Sequence, residues 1–521
     1  MASANFYRLI EQRMPADRST ACLRVPGAGD VSWHELHQGA GRIATLLAGL
    51  RRAPGSRLVA QVDKSPEALM LYLATLRCGL VYVPLNVGYQ EAELRHFLDD
   101  SQPAVAVCGP ARLSLFQALA GDAACFSLDE HGQGTLTQAA GGLSAEFETV
   151  RLEADLPAAI VYTSGTTGRS KGAVLSHGNL ASNALVLDEI WGFRQRREQG
   201  GRDVLLNALP LFHVHGLFVA CHCALLAGAT TIFLPRFDVA QVLRALPQST
   251  VMMGVPTFYT RLLQEPGFGP QACASIRLFT SGSAPLLVET FEAFRQRTGH
   301  ILLERYGMSE TLMLASNPYF GDAPRDRIAG TVGPALPGVQ IRIGRADGTQ
   351  AAAGEVGMIE VRSPGVFSGY WRQPDKTREE FTRDGWFRTG DLGCLGAPGA
   401  PPDYLRIVGR AKDLIITGGY NVYPKEIEGY LNALPGVVES AVVGLPHPDF
   451  GEAVCAFLVM DPSAGLEPAQ VICKLKERIA AFKVPKRIWQ VPELPRNAMG
   501  KVQKKVLRDR FAGTFRDQPG D

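Results

Sequence analysis

Through roughly the first 330 residues, short apolar runs alternate with helical patterns, and turn signals mark each change. A chain satisfies that order most simply by stacking helices on both faces of mostly parallel sheets. An α/β fold is therefore expected, with two doubly wound subdomains in a large N-terminal domain. Around 331–408 the rhythm changes to short strands separated by Gly and Pro, such as G-V-Q-I-R-I-G, G-M-I-E-V-R-S and Y-L-R-I-V-G, which predicts a small β-barrel or sheet. After Arg410 a compact α+β module is expected: a helix opened by Pro424 over P-K-E-I-E-G-Y-L, strands at S-A-V-V-G and A-V-C-A-F-L-V-M, and an amphipathic helix near 469–482. The expected domains are 1–409 and 410–521. The G-A-P-G-A-P-P run at 396–402 reads as a boundary linker or as a long hairpin turn.

At 521 residues the chain exceeds what one core organises, and two or more domains follow. Its 53 Lys plus Arg against 51 acidic residues leave a net charge of +2, which points to neither nucleic acid nor an anionic membrane as partner. A small anionic ligand needs only local charge. The ten cysteines include no C-x-x-C and fit scattered, reduced core thiols. The first residues lack the apolar core of a signal peptide, and Glu11 and Asp17 argue against a transit peptide despite Arg8, Arg13 and Arg18. A cytoplasmic location is the expectation. The apolar stretch 216–235 is long enough to span a bilayer, but Gly228 divides it into a helix and a Thr-Thr-Ile-Phe-Leu strand, the pattern of buried elements. His213, His215, Cys221, His222 and Cys223 crowd the same neighbourhood, yet their spacing matches no common zinc pattern, and core packing is the expected role of the cysteines.

The segment 162–172, Y-T-S-G-T-T-G-R-S-K-G, follows a short apolar run at 158–162 that reads as a buried strand, and a helix is expected to begin near Asn179. Thr163, Ser164, Thr166, Thr167, Arg169, Ser170 and Lys171 surround Gly165 and Gly168, so hydroxyls, backbone N–H groups and a lysine are gathered where the chain must turn. Such a set makes an anion site. The glycine–lysine spacing does not match the P-loop of nucleotide triphosphatases. A plain surface connection is the alternative.

Downstream stand S-G-S-A-P-L at 281–286, E-R-Y-G-M-S-E-T at 304–311, R-T-G-D at 388–391, G-R-A-K-D at 409–413 and P-R-N-A-M-G-K at 495–501. In this order the motifs resemble, over nearly the whole chain, the adenylate-forming superfamily of acyl-CoA synthetases, luciferases and peptide-synthetase adenylation domains. Within it, F-H-V-H-G-L-F, G-V-P-T-F-Y-T-R, the E-R before Y-G-M, and G-G-Y-N-V-Y-P-K-E-I-E resemble the malonyl-CoA synthetases.

The resemblance implies activation of a carboxylate by ATP and Mg²⁺ and transfer of the acyl group to coenzyme A. It implies that Thr163, Ser164, Gly165, Thr166, Thr167, Gly168 and Lys171 hold the phosphates, that Glu310 holds Mg²⁺, and that Ser309 bonds the α-phosphate. Tyr306 would stack on adenine against Ser283 and Ala284, with Glu304 and Gly307 beside it, and Asp391 and Arg410 would bind the ribose. Lys501 and His213 join Glu310 and Ser309 as catalytic residues, and Lys412 is the implied hinge of a mobile C-terminal domain. Rotation there would bring Gly418, Gly419 and Tyr420 to coenzyme A. Arg261, Arg305 and Ser283 would grip the distal carboxylate of malonate, with Val214 and Met313 around its α-carbon, so methylmalonate is the expected second substrate. A structural ion pair of either arginine with Glu304 or Glu310 is the competing reading. Lys501 would also be open to a lysine acetyltransferase, since neutralising it removes a needed charge. The rival functions are activation of another short acid, transfer to another acceptor, and a module that only senses ATP; retention of Lys412 and Lys501 disfavours the last.

Overall fold

Two large sheets of mostly parallel strands account for the first part of the chain. The computed structural model describes residues 4–163, 170–320, 327–461, 467–497 and 500–515. The first sheet has seven strands, with Val81–Pro84 between Arg57–Gln61 and Pro157–Thr163. Successive residues of its strands point to opposite faces. Leu58 and Ala60 pack into one apolar cluster with the helices Trp33–Gly49 and Pro66–Arg77, while Val59, Val81 and Val83 pack into another with the helix Glu91–Ser101. The second sheet has eight strands and the same alternation: Leu205 and Val251 enter one cluster, Leu206 and Met252 another. Helices on both faces are the expected doubly wound arrangement.

The segment after Pro157–Thr163 does not lead into a helix. It joins that strand to an antiparallel partner, Lys171–Ser176, in register Thr163 to Lys171. The helix follows one strand later, at His177–Ile190, because Ser176 caps it and Asn179 closes a reciprocal capping box. Asn179, the expected start, is thus the third helical residue.

A four-stranded antiparallel sheet comes next, in the order Gln340–Gly344, Gly357–Arg362, Phe387–Leu395, Leu405–Arg410. The proline-rich run at 396–402 turns between its last two strands, so the hairpin reading holds and the linker reading falls. From Ile415 onward a five-stranded sheet and the helices Pro424–Asn432, Pro468–Lys476 and Lys504–Phe511 enclose two clusters of their own. The helix expected to reach residue 482 stops at Lys476. Tertiary contacts end it: Phe482 stacks on Tyr420 at 4.5 Å between ring centres, and Lys483 pairs with Glu426 at 2.6 Å.

The stretch 216–235 is buried from 216 through 234, as a helical segment His215–Ala227, Gly228 at φ +63°, and the strand Thr230–Phe233. No helix among the described residues is long and apolar enough to cross a membrane. All ten cysteines are free, and Cys221 and Cys223 are core residues. Among the described residues no cluster of His, Cys, Asp or Glu could hold a metal ion by itself.

Candidate active site

Motifs far apart in sequence meet at the carboxyl ends of the second sheet's strands, the usual crevice for ligands in open α/β sheets. Ser283 and Ala284 follow the strand Leu278–Ser281, and its neighbour Leu303–Met308 carries Glu304, Arg305, Tyr306 and Gly307. Ser309 and Glu310 form the turn into the antiparallel strand Leu312–Ser316. Gly307 is required there, because a Cβ would lie 2.1 Å from the Leu312 carbonyl oxygen.

Glu310 is buried, and burial raises its carboxyl pKa. Oε1 accepts hydrogen bonds from Thr163 Oγ1 at 3.1 Å and Tyr370 OH at 3.3 Å. Glu310 forms no ion pair among the described residues, so a buried carboxylate with a threonine hydroxyl beside it offers a cation hard oxygen donors. That set fits Mg²⁺, which binds through one or two carboxylates together with phosphate oxygens. Lys171 Nζ lies 3.0 Å from Glu380 Oε1 and 4.4 Å from the centre of the Tyr370 ring. Ser164, Gly165, Thr166, Thr167 and Gly168 lie outside the described residues.

On the strand Leu303–Met308, Tyr306 OH donates to Asp391 Oδ2 at 2.6 Å, and Arg410 Nε forms an ion pair with Asp391 Oδ1 at 2.7 Å. Paired strands hold Asp391 opposite Arg410 in register. Each carboxylate oxygen therefore already has one partner and keeps one further acceptor site, and the three residues hold one another in place. Glu304 shares the Tyr306 side of its strand. Its Oε1 accepts from Leu286 N at 3.3 Å, Oε2 has no hydrogen-bond partner among the described residues, and burial lifts its pKa to about 7 against the charge of Lys425.

Arg305 projects to the other side and is only 5% exposed. It pairs with neither Glu304 nor Glu310, and Nε and Nη2 are buried without hydrogen-bond partners among the described residues. Burial pulls its pKa down to about 10, with Tyr259 and Cys223 acting the other way, so the guanidinium remains charged at neutral pH. It lies against the backbone of Gly282, whose added Cβ would be 2.5 Å from Nε. Ser283, at φ +68°, places Oγ 3.2 Å from His215 Nδ1. His213 Nδ1 accepts from His215 N at 3.2 Å, which leaves Nε2 as the donor of a neutral ring. Burial, then the charge of Arg305, depresses both imidazoles, His213 to about 4. Val214 is buried between them, and Met313 packs in the cluster that contains Cys223.

Arg261, unlike Arg305, is exposed. It is two positions beyond Tyr259 on the helix Pro256–Leu263, about 200° around the axis, and where Tyr259 is buried Arg261 is exposed. Its face is that of Thr257, one turn earlier, which abuts Gly500. Arg261 thus stands beside the turn that carries Lys501. It makes no ion pair among the described residues.

Lys501 reaches inward from the C-terminal unit. Burial, then the charge of Arg410, lowers its pKa to about 8, partly countered by Asp391 and Asp413. Its own field in turn reaches His213. Of the basic residues beyond it, Lys504 pairs with Glu428 at 2.6 Å and Arg508 with Asp413 at 2.8 Å, while Lys505 is exposed. Lys412 lies in a short turn, Ala411–Asp413, between the two sheets. Gly418 and Gly419, at φ +55° and +82°, turn a hairpin whose Tyr420 is exposed.

A family model for AMP-binding enzymes matches residues 11–371, and a model for the C-terminal domain of AMP-binding enzymes matches residues 426–501. The chain belongs to the AMP-binding enzyme family. Its fold aligns with that of ATP-bound MatB from Rhodopseudomonas palustris at a TM-score of 0.93, with 49% identity over 98% of this chain and 100% of that one. Apo MatB aligns at 0.82. A malonate–CoA ligase of Arabidopsis thaliana is 36% identical over 497 residues, 88% of this chain and 79% of the relative. A sulfoacetate–CoA ligase of Cupriavidus necator is 35% identical over 476 residues, 90% of each chain. This AMP-binding enzyme is an acid–thiol ligase.

Sequence reasoning missed four contributors. Tyr370 and Glu380 sit in no recognised motif, and their contacts with Glu310 and Lys171 join residues 60 and 209 positions apart in the chain. His215 was legible only as a core or metal histidine, and Lys425 only as a charge on a helix.

Proposed function

We propose that this enzyme joins malonate to coenzyme A at the expense of ATP, through malonyl-AMP, releasing pyrophosphate and AMP. ATP, Mg²⁺ and coenzyme A are its cosubstrates and cofactor. The observation that carries the choice of acid is Arg305, a buried guanidinium with two unpartnered nitrogens beside two neutral histidines and Ser283. A buried charge without a counter-ion is costly, and a ligand carboxylate relieves that cost through charge-assisted hydrogen bonds. Arg305 would hold the carboxylate that does not react, His213 Nε2–H and Ser283 Oγ–H are available to its oxygens, and Arg261 supplies a second cation at the mouth. Val214 and Met313 would bound the α-carbon, with methylmalonate as the second substrate.

In the first half-reaction the other carboxylate attacks the α-phosphorus, the P–O bond to pyrophosphate breaks, and an acyl–phosphate anhydride forms. Glu310, with Thr163 beside it, would hold Mg²⁺, which when bound would neutralise phosphate charge. Lys171, Lys501 and Ser309 would oppose the charge gathering on the phosphates. Asp391, Arg410 and Tyr306 fix the nucleoside. In the second half-reaction the thiol attacks the acyl carbon and AMP departs. Units 1–409 and 410–521 would turn about Lys412, carrying Lys501 out and Gly418, Gly419 and Tyr420 in, so that one cleft performs two chemistries. The setting is cytoplasmic in this reading.

The test is Arg305→Ala. Removing one member of a buried pair costs on the order of 3–5 kcal/mol, so kcat/KM for malonate should fall by roughly two to nearly four orders of magnitude. Propionate, which has no distal carboxylate, should be affected much less. Equal loss for both acids would contradict the assignment.

A further inference from the structure

One hydrogen bond crosses the hinge away from the reacting groups. Lys425 opens the helix Pro424–Asn432 of the C-terminal unit, and its Nζ donates to the Ile407 carbonyl oxygen at 2.8 Å. Ile407 belongs to the last strand of the four-stranded sheet, the strand that ends in Arg410. Lys412 lies between the two bonded residues in sequence, so a rotation about Lys412 changes their separation and the bond cannot persist through it. Lys425 also feels the charge of a buried carboxylate of the large unit, Glu304, one oxygen of which has no hydrogen-bond partner among the described residues. Each charge favours the ionised form of the other: Lys425 holds down the pKa of Glu304, and Glu304 holds up that of Lys425, which burial lowers. Within its own unit Lys425 has Glu428 nearby, so Glu304 is a carboxylate it gains only in this arrangement.

We propose that Lys425 is a positioning residue: its ammonium, bonded to the Ile407 carbonyl and attracted by Glu304, holds the C-terminal unit in the arrangement that delivers Lys501 to the site. The proposal rests on the two-step reading above and adds to it a residue that biases the balance between the two arrangements. A ligand or contact shifts such a balance only by its differential interaction with the two states, and the bond of Lys425 to Ile407, with the attraction between Lys425 and Glu304, belongs to one of them.

The experiment uses the full chain as wild type, Lys425→Gln and Lys425→Arg. Two half-reactions are measured separately: malonate-dependent exchange of pyrophosphate into ATP, and thioester formation from supplied malonyl-AMP. Fluorophores placed on exposed cysteines introduced in each unit report their separation with Mg·ATP alone. Lys425→Gln should slow exchange roughly tenfold, leave thioester formation undiminished, and move the label distance away from the wild-type Mg·ATP value. Lys425→Arg should restore both exchange and distance. Equal slowing of both half-reactions, or an unchanged label distance in Lys425→Gln, would overturn the proposal. If wild type shows no exchange with malonate, the choice of acid fails, while the distance measurement, which needs no acid, still decides the role of Lys425.

Discussion

The guanidinium of Arg305 rests on the bare backbone of Gly282, so closely that a Cβ there would stand 2.5 Å from Nε and 2.7 Å from Nη1. The glycine of the S-G-S-A-P segment is thus a seat for the arginine, and Ser283, the next residue, turns its hydroxyl to His215. Gly282→Ala should displace the guanidinium without removing its charge. Overpacking of this kind costs about 1–3 kcal/mol, so kcat/KM for malonate should fall roughly tenfold to a hundredfold. Steady-state kinetics with malonate and propionate check this; full malonate activity in the variant would show that the seat does not matter.

Lys501 leads to a pH prediction. Its pKa is lowered to about 8, so the ammonium is present below that value and lost above it. Because the charge assists the first half-reaction, kcat/KM for Mg·ATP should decline above about pH 8 as one proton leaves the free enzyme. In Lys501→Arg the declining limb should move to higher pH even where the maximum is lower. Lys501→Ala, or acetylation at Lys501, should abolish adenylation while sparing thioester formation from malonyl-AMP, as separate half-reaction assays would report.

Lys412→Pro should separate the half-reactions in the same direction as a lock. Proline fixes φ near −65° and forbids the rotation, so malonyl-AMP and pyrophosphate should form in a burst while malonyl-CoA does not accumulate. Steady CoA turnover in that variant would place the hinge elsewhere.

Tyr370→Phe removes one of two donors to Glu310 Oε1 but keeps the ring beneath Lys171. A hydrogen bond to a charged group contributes about 1.5–3 kcal/mol, so the concentration of Mg²⁺ giving half-maximal exchange should rise by roughly tenfold or more. The KM for malonate should not change. Titration with Mg²⁺ at fixed ATP measures it.

Much of this architecture was readable in the residues, and the exceptions share a cause. Period and turn chemistry place Pro157–Thr163, Pro424–Asn432 and the 331–408 strands, because local sequence decides where a chain can bury a face. Lys171–Ser176 escaped because K-G-A-V-L-S is short and its strand character comes from pairing with Pro157–Thr163, a tertiary fact. The helix beginning at Pro468 ends early because Phe482 and Lys483 find partners on Tyr420 and Glu426, which no helical pattern announces. Within the site, motif residues such as Tyr306, Asp391 and Arg410 meet as the resemblance implies. Arg305 is buried while helix phase leaves Arg261 exposed, and Glu380, Tyr370 and Lys425 make contacts that only the folded chain creates.

If the acid carries a second anionic group, a carboxylate, it will show most directly in CoA consumption by the wild-type enzyme across malonate, methylmalonate, sulfoacetate, propionate, butyrate and benzoate at equal ATP and Mg²⁺. The account predicts the highest kcat/KM for malonate, methylmalonate second, and the monocarboxylates far below. A preference for butyrate or benzoate would contradict it, and a preference for sulfoacetate would keep the role of Arg305 while overturning malonate as the substrate.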